Sequence, residues 1–415
     1  MKKRIFIVGI IFILISMLVI LTGCGDKKSN TNQNQEVENV TSNNEIQANK
    51  TGIEIKEIVQ RFTDGIAVVK DNNYNQYAID ENGNVIVKSK DSDENVYYSN
   101  GYISVGNYIY DSEGKEITHD ENKTYGNVSK SGYVSVVIKS EDVSGKHYIE
   151  QIEDLQGNKI SDAYTLYSTD SDFVYLFEDF YHVYDRENEE YLLINAKNNE
   201  IKNLEDVLCK DGGSLSYAPD KIEKFGNLYL IYTSGHNAWC VNSDFSKVTS
   251  AEPRYNRFGY TVNKIILDKY MIGEGNQGGN ADEIRAFDLD GNMVKDFSEI
   301  GNVKAIEEYN NIIYIISETG YIYTMDENFN YIIQPEKTEY EGLLKCKDGI
   351  IATKDVGSGN VNIILLDENL QPVKELATIS HSYTSSDGDK FLYYNSVNSY
   401  SVYNLETNKK LEIYE

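Results

Sequence analysis

The sequence is short of nearly everything that carries chemistry by local motif. Its 415 residues include four cysteines, four prolines, one tryptophan, five histidines and six arginines. His119, His147, His182, His236 and His381 form no H-x-H or H-x-x-x-H pair, which argues against a zinc site assembled by local sequence. No G-x-S-x-G occurs, so the usual nucleophile elbow is missing. The glycine-rich stretch from Gly273 to Asn280 lacks the Lys and Ser/Thr of a phosphate loop and reads as a hairpin loop. Ser385-Ser386-Asp387-Gly388 brings its glycine one place too early for a sialidase box. Basic residues number 39 against 66 acids, a formal charge of −27. Such a surface repels phosphate and argues against nucleic acid as a partner. With no glycine period and no heptad run, collagen and coiled coil are excluded.

What is present begins with an address. Lys2, Lys3 and Arg4 precede a 17-residue apolar stretch, Ile5 to Leu21, of the length of a signal h-region. It runs into Leu21-Thr22-Gly23-Cys24, which resembles the lipobox of bacterial lipoproteins. The resemblance implies cleavage after residue 23, diacylglycerol and palmitate on Cys24, and a chain displayed outside the cytoplasmic membrane. Cleavage removes three basic residues and no acid, so −27 becomes −30. Several acyl chains on one N-terminus anchor stably, whereas one does not. Residues 24–52 then read as the lipidated cysteine and a disordered tether. Gly25 to Gly52 is 28 residues with seven Asn, three Gln and almost nothing apolar. As a coil it spans about 30 Å, and fully drawn out roughly 95 Å. The other cysteines, Cys209, Cys240 and Cys346, are odd in number and widely spaced. They read as buried or half-buried small apolar residues.

From residue 53 to 415 the chain reads as one repeated all-β unit. Short runs rich in Ile, Val and Tyr recur, at Gly65–Val69, Gly101–Val105, Gly132–Ile138, Asn227–Tyr232, Asn311–Ile316 and Asp348–Ala352. Ile312-Ile313-Tyr314-Ile315-Ile316 is apolar on both faces and must be covered on both. No amphipathic helix is evident. A second pattern follows most of these runs: a strand ending in Asp or Asn, a turn, then a short strand. Four copies carry Asp-x-x-Gly, where Asp caps the turn and Gly takes the left-handed position. Counting degenerate copies, the turns start at 80, 111, 154, 195, 242, 288, 326, 367 and 404, spaced 31 to 47 residues apart. In two degenerate copies Asn328 and Asn369 are expected to hold the positive φ. The period fits the four-stranded blade of a β-propeller. A single propeller of about eight blades is expected, with seven and nine open. The alternative is two stacked β domains parting near Gly212-Gly213.

The segments Phe62 to Val69 and Tyr77 to Ile86 resemble a WG-type repeat: an aromatic, a Gly-Leu-Ala-Val-like strand, then Tyr-Ile-Asp-x-x-Gly. The likeness covers residues 58–118. Asn75-Gln76 stands where the Trp-Gly step belongs. The resemblance implies a secreted β-repeat module and brings no catalytic residues.

Candidate ligand-binding residues come from one segment. Two of the six arginines, Arg254 and Arg257, flank Tyr255 in Pro253-Arg254-Tyr255-Asn256-Arg257-Phe258. Arg beside aromatics suits a carboxylate, a sulfate, a sugar or a protein hot spot. His236 and Trp239, one strand pair earlier, are expected to sit near it. Asp288-Leu289-Asp290-Gly291 and Asp91-Ser92-Asp93-Glu94 leave weak Ca2+ binding open, beside turn capping. No other cofactor, no metal site and no catalytic residue is expected. The 34 tyrosines fit cross-strand pairing better than a glycan-stacking face. The expected role is a membrane-anchored extracytoplasmic binding or scaffold module for a protein or cell-envelope ligand. The competing role is a carbohydrate-active hydrolase or lyase with carboxylates converging in the propeller mouth. A third is an envelope assembly factor that needs its partner.

Overall fold

The apolar runs become the second strands of their sheets. Ile66–Asp71, Tyr102–Val105, Tyr133–Asp142, Leu228–Thr233, Ile312–Ser317 and Gly349–Gly357 each have a hydrogen-bonded neighbour on both sides. The computed structural model describes residues 52–414 apart from 143–144, 163, 167–172, 210–214, 216–217, 234–237, 251–259, 277–281, 381–382, 387 and 397–398. Within them the strands form nine four-stranded antiparallel sheets, each built from consecutive strands in chain order. The sheets cover residues 55–88, 96–119, 123–166, 173–203, 219–250, 260–296, 303–337, 342–380 and 383–410, and are numbered blades 1 to 9. The expectation of about eight blades is corrected to nine. Every one of the nine turn positions ends, or directly follows, the third strand of a complete blade. None is a partial copy.

A strand's side chains alternate between its two faces, so each blade buries one set against each neighbour. Ala67, Val69, Tyr77 and Ile79 of blade 1 join Phe391, Tyr393 and Val402 of blade 9. Ile66, Val68 and Ala78 join Val96, Tyr98 and Ile103 of blade 2. The pattern repeats around the molecule. The nine apolar clusters of the described residues each span one pair of adjacent blades. The ring therefore closes, and Ile53 and Ile413 lock it: the Ile53 N–H donates to the Ile413 carbonyl at 2.8 Å. One shared ring of seams also replaces the alternative of two stacked domains. Blades 4 and 5, where that break was expected, share a continuous cluster. Gly212-Gly213 lies outside the described residues.

One short helix enters that seam, Leu204–Leu208. The Asn203 side chain caps it by accepting from the Glu205 and Asp206 N–H groups, and Leu204 and Leu208 are buried. An i, i+4 leucine pair in five residues is too brief to signal a helix in sequence.

The turns explain the repeat. Asp80 Oδ1 accepts from the N–H of Asn82 at 2.9 Å and of Asn84 at 2.8 Å, while Gly83 sits at φ +82°. Asp111, Asp154, Asp288, Asp326 and Asp367 make the same two bonds to the second and fourth residues after them. The left-handed position is the third residue after the Asp, so Phe329 and Leu370 hold it, at φ +62° and +61°. Asn328 and Asn369 do not, which corrects the expectation. Burial offsets the strain. Placing a non-glycine residue there costs about 1–2 kcal/mol, and burying a Phe stabilises by about 1.5–3 kcal/mol. Phe329 is buried in the blade 6–7 seam.

The residue after the turn Asp or Asn reaches back to the preceding blade. Leu155, Ala196, Leu289 and Leu405 enter apolar seams. Glu327 pairs with Lys269 of blade 6 at 2.6 Å, and Glu81 pairs with Lys390 of blade 9.

Candidate functional site

First strands of neighbouring blades touch one another, whereas fourth strands are exposed edges, so the first strands form the inner ring. Their polar side chains converge from blades 6, 7 and 8. Lys264 of blade 6 donates to Glu307 of blade 7 at 2.6 Å and to the Ile306 carbonyl at 3.1 Å. Glu307 also accepts the backbone N–H of Lys345 of blade 8 at 3.1 Å. The Lys345 ammonium pairs with Glu308. The Ser386 hydroxyl of blade 9 donates to the Lys345 carbonyl at 2.9 Å, and Arg61 of blade 1 donates to Ser385 at 2.9 Å. The Arg61 guanidinium also lies over the Tyr393 ring, 5.3 Å from its centroid. This belt runs through five consecutive blades. Sequence reasoning missed it because a Lys or Glu inside a strand gives no motif.

Chemically the belt couples blades. Glu307 is buried and already accepts two donors from other blades, one of them charged, so its carboxylate is engaged in the tie between blades.

A polar recess of about 120 Å³ lies between blades 2 and 3, lined in part by His119, Asp120, Lys123, Glu153 and Gln156. Lys123 reaches Glu153 at 2.7 Å, and the Gln151 amide donates to the same carboxyl group at 2.7 Å. Burial pulls the Lys123 ammonium down, but the Glu153 carboxylate outweighs it and holds the lysine above its ordinary range. Tyr108 stacks on His119 with centroids 4.1 Å apart. The recess has room for a few waters.

His182 stands apart. It is buried in blade 4, its Nε2 lies 3.3 Å from the Pro219 carbonyl of blade 5, and its Nδ1 has no hydrogen-bond partner among the described residues. Burial lowers its pKa to about 4.

The residues singled out from sequence fare differently. Arg254, Tyr255, Arg257 and His236 lie outside the described residues, as does Cys24. Trp239 is described, and it is a core residue, 4% exposed, in the seam with Leu176, Phe177 and Leu193 of blade 4. Strand alternation sends Trp239 and Val241 toward blade 4 and Cys240 toward blade 6. Its ring is thus spent on packing. Cys209, Cys240 and Cys346 are free thiols, half-buried or buried, as expected. Burial pushes the Cys240 thiol up to about 11, so it is an unreactive thiol. Asp288 uses its carboxylate to cap its own turn, and Asp91 accepts from the Asp93 N–H at 3.0 Å. Among the described residues no group of three or more His, Cys, Asp or Glu is placed to hold a metal ion.

No protein-family model matches the sequence, and no curated protein matches it. Solved structures do match in architecture. A computationally designed protein, Ika8, is 10% identical with a TM-score of 0.42, over 86% of this chain and 98% of its own. BamB from Moraxella catarrhalis is 10% identical with a TM-score of 0.33, over 75% of this chain and 93% of its own. Apo AztD from Citrobacter koseri is 13% identical with a TM-score of 0.37, over 68% and 86%. Values this low transfer neither partner nor activity to this chain. The nine-bladed β-propeller assignment rests on the chain's own sheets and seams.

Proposed function

We propose that this chain is a binding or scaffold module, held outside the cytoplasmic membrane by lipid on Cys24 and a tether through residue 52. It engages a protein or cell-envelope ligand. One observation supports this reading over hydrolysis. Glu307, a buried acid of the inner ring, is engaged by Lys264 and the Lys345 N–H, whereas a glycosidase needs two carboxyl groups free to face its substrate. The lipobox supports the address. Comparing the full-length chain with Cys24→Ala by cell fractionation tests both parts. The full-length chain is expected in the membrane fraction with a stoichiometric partner, and Cys24→Ala outside that fraction. Cytoplasmic full-length chain with nothing bound would overturn the reading.

A further inference from the structure

Each blade's outer strand has a hydrogen-bonded neighbour on one side only. Free edges invite another strand, and proteins blunt them by keeping them short. The outer strand has two residues in blade 9 and four in blades 1, 2, 4 and 6. Blade 8 has nine, but they start at Pro372 and bury Leu376 and Ile379 in a seam. Blade 7 breaks the pattern. Its outer strand, Tyr331–Lys337, is seven residues long, and Tyr331, Ile332 and Ile333 are 43%, 50% and 37% exposed in a row. The outer strand of blade 6 is also exposed and apolar at Met293 and Val294. That chain leads to Glu299, whose carboxylate accepts from the Tyr331 hydroxyl at 3.4 Å.

We infer that the outer edge of blade 7 docks an extended, basic and apolar segment of a partner protein, which adds to it as a fifth strand. This names the surface and partner class for the binding role proposed above and rests on that reading. Backbone pairing would supply affinity, and alternate side chains would supply specificity. Pro335 carries no N–H, and the register against the third strand shifts on both sides of Ile333, so pairing along the edge is interrupted and the edge does not template indefinite growth. Charge selects the occupant. A second copy would bring another −27 against this one. A cationic segment is drawn in, and it meets Glu336 on the strand itself, which makes no ion pair with a described residue. The flanking acids Glu299 and Glu327 are held by Lys295 and Lys269, so Glu336 is the acid of the strand left to meet a base, with the exposed Lys337 on the opposite face by alternation.

The test titrates the full-length chain with two fluorescent octapeptides, one alternating valine with lysine and one alternating valine with glutamate. The lysine peptide is expected to bind and the glutamate peptide not to bind. Ile332→Pro removes a backbone donor and should weaken binding about tenfold. The double variant Ile332→Lys/Ile333→Lys keeps every donor and should weaken it comparably, which guards against a folding defect in the first. Equal binding to wild type and both variants, or no binding of the lysine peptide, overturns the inference. So does a dimer of wild type that Ile332→Pro abolishes, since the occupant would then be a second copy. A photo-cross-linker placed at Ile332 and, separately, at Val59 on the inner ring distinguishes the two levels in cells. Capture at Val59 alone overturns this inference and leaves the binding role standing, whereas capture at neither overturns both.

Discussion

The Lys264 ammonium of blade 6 lies 2.6 Å from the Glu307 carboxylate of blade 7, with the lysine about a quarter exposed and the acid buried. Because Glu307 also takes the Lys345 N–H, one carboxylate joins three blades at the inner ring. A nine-bladed ring has nine seams and no covalent closure. Ties of this kind hold the first strands in register while the apolar clusters supply the bulk of the stability.

Removing Glu307 should therefore cost more than a surface pair does. Glu307→Gln leaves a partly buried ammonium without its counter-charge, a loss of about 2 kcal/mol after discounting for the exposure of Lys264. Replacing both partners with apolar residues, Lys264→Met/Glu307→Leu, should recover most of it. Urea midpoints at unchanged slope measure both. A Glu307→Gln chain as stable as wild type would show the tie to be dispensable.

His182 predicts a pH dependence with a definite sign. Its folded pKa, about 4, lies below the ordinary 6.5, so between those values the unfolded chain binds the extra proton. Stability from this residue is complete above pH 6.5 and is lost as pH falls toward 4. The span is worth about 3 kcal/mol. Unfolding measured at pH 7 and pH 4.5 should fall further for wild type than for His182→Leu. Parallel profiles would mean that the imidazole finds a charge partner when protonated.

Two glycines with the same backbone separate strain from closure. Gly101 and Gly83 have φ of +85° and +82°. A Cβ on Gly101 meets nothing within 4 Å, while one on Gly83 meets the Glu412 carbonyl oxygen at 2.0 Å. Gly101→Ala should cost about 1 kcal/mol, from backbone strain alone. Gly83→Ala should cost at least twice that and speed amide exchange at residues 411–414, because the added carbon pushes the last blade from the first. Equal effects would mean that the chain end contributes little to closure.

The turn positions make a paired prediction. Phe329→Gly removes strain worth about 1 kcal/mol but empties a seam site, for a net loss of about 2 kcal/mol. Asn408, exposed at φ +58°, has no such burial, and Asn408→Gly should be neutral or stabilising by about 0.5 kcal/mol. Thermal unfolding of the two variants checks the opposite signs.

The blades were legible in the sequence because their turns are local. An Asp that caps the second and fourth amides after it leaves a fixed residue pattern at six of the turns, and all nine turn positions, the three Asn copies included, mark real hairpins. Four strands per unit and both-face burial of the central runs followed from the same pattern. The blade count erred low because degenerate copies such as Asn195 and Asn404 carry no turn glycine, although their hairpins are complete. Phe329 was missed for a different reason. Its seam partners, Phe297 and Tyr270 among them, come from another repeat, and no local signal announces burial that offsets strain. Trp239 shows the converse: a rare aromatic beside a loop invites a ligand reading, yet strand alternation assigned it to the core. The inner-ring belt joins residues 37 or more positions apart with no motif at any one of them.

Chemical cross-linking on intact cells carrying the full-length chain, with mass spectrometry of what co-purifies through residues 53–415, tests the central claim most directly. One recurrent stoichiometric protein or cell-envelope ligand, cross-linked to the propeller and lost with Cys24→Ala, is the predicted result. A chain that captures nothing from the envelope, or that captures the same molecules whether or not Cys24 is present, would contradict the account of a membrane-tethered binding module.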